Sequence, residues 1–171
     1  MRTQLHTAWM GMDLVVTRDD GQEVGRIAAS EIERVVLVCK GAGETPGDLV
    51  YAVIETPADA IVVPADTGIA GRVHFERQAF WADRDCIYWV SESQAALPRR
   101  LRPGLWMLRR ARPGYMRVPR SEVAAAIEQW PLEGPQTWEQ RKWDRIVKRR
   151  MLTPLDHQMP RPQRSGGGPH K

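Results

Sequence analysis

The first half of the chain alternates apolar with polar positions, and the last part repeats in steps of three and four. Met10, Met12, Leu14 and Val16 are separated by small or polar residues, the period of a half-buried strand. Asp19-Asp20-Gly21 tolerates left-handed backbone at a turn, and Val24 to Ala28 returns, which predicts a hairpin. Ser30 and Glu33 have the spacing of a capping box. The run Val35-Val36-Leu37-Val38-Cys39 nevertheless favours a strand after at most one helical turn, because β-branched side chains fit a pleated surface. Leu49 to Glu55 and Ala60 to Val63 predict a further pair around Pro57-Ala58-Asp59. Ile69, Val73, Phe80 and Trp81 are spaced loosely like one helical face, with Thr67 placed to cap a short helix over 67–82. Cys86 to Val90 reads as a strand by its aromatic and β-branched content.

Two Arg-Pro-Gly triplets follow, Arg102-Pro103-Gly104 and Arg112-Pro113-Gly114, and Pro then Gly suits a type II turn. The second triplet is expected to join Leu105 to Arg110 and Tyr115 to Val118 as a hairpin. Ser121 can cap a helix with Val123, Ile127 and Trp130 on one side, ended by Pro131. Thr137 and Gln140 form a better capping box, opening a helix to about Met151. Its face Trp143, Ile146, Val147, Met151 is expected to bury against the sheet, and its other face carries Arg141, Lys142, Arg145, Lys148 and Arg149. From Thr153 onward Pro, Gly and Arg recur without period, the composition of a disordered tail.

This order predicts an α+β fold: an antiparallel, curved, roll-like strand-rich body followed by two C-terminal helices, as one domain over residues 1–152 with a tail over 153–171. A domain of that size buries about 70% of the surface its unfolded chain exposes, so it needs no covalent staples. The longest uninterrupted apolar run, Leu49 to Ile54, is far below the roughly 20 residues of a membrane span. Asp13 closely follows Met1-Arg2, leaving no room for the apolar core of a signal peptide, and a cytoplasmic location is expected. Cys39 and Cys86 read as small core residues on strands, with a disulfide disfavoured in a reducing compartment.

Charge divides the chain in a way its overall +4 conceals. Residues 1–95 hold eight Lys and Arg against fifteen Asp and Glu, whereas residues 96–171 hold seventeen against six. Between Ser93 and Ser121 stand Arg99, Arg100, Arg102, Arg109, Arg110, Arg112, Arg117 and Arg120 with no acidic residue. Such a split calls for an anionic partner, or for complementary surfaces that meet within one molecule or between copies through salt-sensitive self-association.

Candidate chemistry changes this picture little. Gly41-Ala42-Gly43-Glu44-Thr45-Pro46-Gly47 follows a strand like a phosphate-binding loop, but the following segment is strand-like and offers no helix start to receive a phosphate, so a hairpin loop is expected. His74 and Glu76, near Asp83 and Asp85, are the one cluster with metal or acid–base character. The histidines lack paired ligand spacing, no Ser or Cys stands in a nucleophile elbow, and a solvated ion-paired surface is the simpler reading. No metal, cofactor or enzymatic activity is expected.

Trp81 and Trp89 read as core. Trp106, Trp130, Trp138 and Trp143 stand among basic residues, either packing helices onto the sheet or forming a stacking platform for single-stranded nucleic acid. The expectation is a binding or adaptor protein whose basic, tryptophan-bearing face, Arg99 to Arg120 with Trp106 and Arg141 to Arg149, engages an acidic protein or another anion. Nucleic acid is the alternative partner.

Overall fold

A tight turn at Gly11, between two methionines, organises the first sheet. A computed structural model of the protein describes residues 4–69, 74–76, 86–101 and 113–152. β1 (Leu5–Met10), β2 (Asp13–Arg18) and β3 (Glu23–Ala28) form a three-stranded antiparallel sheet in that order. Met10 pairs with Asp13, leaving a two-residue loop whose Gly11 has φ of 63°, a backbone region that favours glycine. Sequence alternation runs a single strand through Met10 and Met12; instead the chain reverses there, leaving both methionines exposed while Leu14 and Val16 are buried.

The second sheet has the order β7-β4-β5-β6-β8, from β4 (Arg34–Cys39), β5 (Leu49–Glu55), β6 (Asp59–Pro64), β7 (Ile87–Ser91) and β8 (Met116–Pro119). All pairings are antiparallel except β4 with β7. Alternate residues serve two cores. Val35, Leu37, Ile54, Ile61 and Val63 join Leu14, Ile27 and Phe75 on one face, while Val36, Val38, Val53 and Val62 join Val123, Ile127 and Trp130 on the other. Burial on both faces explains why β4 to β6 read as continuous apolar runs instead of alternating ones.

The expected single helical turn before β4 is present as a 3-10 turn, Ala29–Glu31. The glycine loop is the expected hairpin connection: the Lys40 amide donates to the Asp48 carbonyl at 2.7 Å, and the Thr45 amide donates to the Asp48 carboxylate at 2.8 Å. Cys39 and Cys86 are free and buried. The parallel register matches Val35 with Ile87 and Cys39 with Ser91, so the two thiols stand at opposite ends of the β4–β7 pair, too far apart to bridge.

Close approach fixes one glycine for a reason other than φ. A Cβ at Gly25 in β3 would come within 1.9 Å of the Tyr115 hydroxyl, so the ring that enters β8 rests where only glycine leaves space. Burial of that ring also pushes the Tyr115 phenol pKa up.

The two C-terminal helices are α1 (Ala124–Ile127), preceded by a 3-10 turn at Arg120–Glu122, and α2 (Trp138–Leu152). α1 is shorter than its sequence pattern suggests, yet Val123, Ile127 and Trp130 are all buried as that pattern requires. Thr67 does not cap a following helix: it ends a 3-10 turn, Ala65–Thr67, and its hydroxyl donates to the Pro64 carbonyl at 2.7 Å. Most of the helix expected over 67–82, the strand Leu105 to Arg110 and the tail from 153 lie outside the described residues. The chain divides into two compact units, Met1–Trp138 and Glu139–Lys171. Among the described residues no helix is long and apolar enough to cross a membrane.

Candidate functional site

The pairing of β6 with β8 places two of the candidate arginines, Arg117 and Arg120, beside carboxylates from the acidic half. Arg117 lies opposite Ile61 in the β6–β8 register, which brings it diagonal to Asp59, and its Nε donates to Asp59 Oδ2 at 2.6 Å. Arg120 donates to the Glu33 carboxylate, and its Nε lies 3.4 Å from Glu55 Oε1. Arg100, in the 3-10 turn Arg99–Leu101, sits with its Nε 3.4 Å from Glu122 Oε2 and donates from Nη2 to the Glu122 carbonyl at 3.2 Å. Arg99 is exposed. Arg102, Trp106, Arg109, Arg110 and Arg112 lie outside the described residues.

Glu55 is the acidic centre of this cluster and is fully buried. Arg34 faces it directly across β4 and β5 and donates from Nε to Oε2. Oε1 makes no hydrogen bond, so its contact with Arg120 is an ion pair without hydrogen-bond geometry. The Arg34 guanidinium also sits 5.8 Å from the Tyr88 ring centroid. The sequence pattern reads Glu33 as a capping-box partner of Ser30 and Glu55 as a strand end, and assigns neither to a charge cluster. The available signal was a carboxylate closing the apolar run Leu49 to Ile54 opposite an arginine that opens one, the pattern of a cross-strand pair.

The remaining candidate cations are on α2. Lys142, Lys148 and Arg149 are exposed, as is Arg150; Arg145 is half-buried and Arg141 buried. The expected burial of the apolar face is overturned: Trp143 is 62% exposed, Val147 46% and Met151 81%, with Ile146 half-buried. Periodicity creates an apolar face but does not supply the surface that covers it. Trp81 and Trp106 lie outside the described residues, and the other described tryptophans behave as core. Trp89 and Trp130 are buried, and Trp138 packs on the first core with its ring centroid 5.8 Å from that of Trp89.

His74 and Glu76 are drawn into structure. The Glu76 carboxylate accepts the backbone N–H of Trp138, occupying a donor at the first turn of α2, where negative charge is favoured. The His74 carbonyl accepts from Trp9 Nε1 at 2.7 Å, and its imidazole packs against Trp9 and Phe75. Burial lowers the His74 pKa below its ordinary value of 6.5, and its Nε2 is buried without a hydrogen-bond partner. A group harder to protonate when folded than when unfolded contributes stability that is complete above about pH 6.5 and is lost as pH falls through that value toward the folded pKa. Denaturant midpoints measured between pH 8 and pH 5 are expected to show this loss, with a smaller loss in His74→Phe; equal slopes for both proteins would contradict it.

Among the described residues no group of three or more His, Cys, Asp or Glu side chains is placed to hold a metal. No protein-family model matches the sequence, and comparison with curated proteins and with solved structures gives no match either.

Proposed function

We propose that this is a non-enzymatic, cytoplasmic binding or adaptor protein that engages an acidic protein surface or another anion through α2. The observation that carries this reading is the exposure of Lys142, Lys148 and Arg150 on the helix that also exposes Trp143, Val147 and Met151. Arg100, Arg117 and Arg120 support it less, since each faces a carboxylate of its own chain and would have to exchange one anion for another. Single-stranded nucleic acid would draw on Trp106 and its neighbouring arginines, so it enters as an arm of the test.

The test is binding of the full chain to polyglutamate, a single-stranded oligonucleotide and anionic vesicles, each at low and high salt, with Lys142→Glu/Lys148→Glu alongside. At least one probe is expected to bind in a salt-sensitive manner and to bind the variant several-fold more weakly. Absence of binding to all three, or binding indifferent to the variant, would overturn the reading. Sedimentation at the same salt concentrations separates association between copies, the acidic half of one against α2 of another, from binding to an external anion.

A further inference from the structure

We propose that the anion α2 meets is a lipid surface: the helix lies in the interface of a membrane rich in anionic headgroups, with Trp143, Val147 and Met151 toward the acyl chains and Lys142 and Lys148 among the phosphates. The inference rests on the reading of α2 as the binding element and names its partner.

Geometry gives the first argument. Trp143, Val147 and Met151 follow one another at intervals of four residues, so they line one face, while Arg141, Lys142, Arg145, Lys148 and Arg149 occupy the other. α2 has 15 residues, a length of about 22 Å. That is shorter than a bilayer's hydrocarbon core, and the cations would not enter it, so the helix lies on a membrane and does not span it. Low overall hydrophobicity, one face with tryptophan and aliphatic residues and the other rich in Lys and Arg are the features of an interfacial helix. Four exposed cations on one such helix, Lys142, Lys148, Arg149 and Arg150, also suffice to recognise anionic headgroups.

Charge and exposure then separate the candidate occupants. A second copy of α2 would bring six cations to six, against only Glu139 and Asp144 on each side, so symmetric pairing is repulsive. A nucleic acid would use the cations and stack on Trp143 but would leave Val147 and Met151 uncovered, the second of them 81% exposed. An acidic groove on a protein could take the apolar anchors. Arg150, however, follows Trp143 by seven residues on the same face, so the groove would need a carboxylate in its apolar floor. At a bilayer that side chain rises along its aliphatic stem to the phosphates without such a device.

The experiment is co-sedimentation of the full chain with vesicles of phosphatidylcholine alone and of phosphatidylcholine with phosphatidylglycerol at about two to one, near physiological salt. Binding to the anionic vesicles alone is expected. It should weaken about twenty-five-fold in Lys142→Gln/Lys148→Gln, at about fivefold per neutralised cation, and disappear in Val147→Glu, whose site is exposed and tolerates a charge in the free fold. Met151→Cys carrying an environment-sensitive fluorophore reports the apolar face, since Cys39 and Cys86 are buried. Its emission is expected to shift to the blue on binding. Three results would overturn the inference: no sedimentation with anionic vesicles, binding unchanged by Val147→Glu, or binding without a blue shift. If polyglutamate or the oligonucleotide still bound in a salt-sensitive way in the first case, the proposed function would stand and the lipid would be the wrong partner.

Discussion

Arg34→Ala is expected to destabilise the fold by about 3–5 kcal/mol, the cost of stranding a buried charge, and so to lower Tm by about 10 °C for a chain of this size. The reason is asymmetric burial within the pair. Glu55 is fully buried while Arg34 keeps a quarter of its side chain in water, so removing the arginine leaves the costly partner behind, with the more distant Arg120 as its remaining cation among the described residues. Arg117→Ala is the control. Its pair with Asp59 is partly exposed, with 44% of the arginine and 27% of the aspartate side chain in water, so neither charge is stranded in the core and the pair contributes about 1 kcal/mol or less. Thermal melts of the two variants decide the matter: equal, small shifts would mean that Glu55 is adequately solvated or neutralised without Arg34. The double variant Arg34→Met/Glu55→Met should recover part of the loss, because apolar residues of similar volume remove the stranded charge.

A second large effect is expected at Phe75, the largest fully buried side chain among the described residues, which meets the Trp9 ring edge-on at a centroid distance of 6.3 Å. Phe75→Ala should cost about 3–5 kcal/mol through lost burial and the cavity it leaves. Trp143→Ala removes a bigger ring and should change stability by about 0.5 kcal/mol or less, since that ring is mostly in water. Urea unfolding followed by far-ultraviolet circular dichroism compares them directly. A loss at Trp143 approaching that at Phe75 would show that the helix face is covered in solution.

Much of the fold is legible in the residues because burial on two faces writes itself as unbroken apolar runs, as in Val35 to Cys39 and Leu49 to Ile54. β1 is hidden by a coincidence of phase. Its inward residues are Leu5, Thr7 and Trp9, but Met10 and Met12 continue the alternation of Leu14 and Val16 across a turn that only Gly11 announces. The parallel pairing of β7 with β4 has no local signature, since it depends on a long connection closing. The candidate site was legible as a set of cations and not as a geometry. Arg117 meets Asp59 and Arg120 meets Glu33 across 58 and 87 residues of sequence, and no periodicity encodes such pairs. For α2 the pattern identified the helix and its apolar face correctly, but what covers a face is a tertiary property.

The segment beside β7 bears on how copies of this protein can meet. Trp89 exchanges both backbone hydrogen bonds with Glu133, at 2.9 and 2.8 Å, and the Gln136 amide donates to the Ile87 carbonyl at 3.0 Å. The outer rim of that strand is therefore already occupied by its own chain. An exposed rim of this kind is the usual template on which a foreign strand adds and sheets grow end to end into fibres. With those donors and acceptors taken, polymerisation by strand addition is blocked at β7, and any partner arriving from that side must be recognised through side chains.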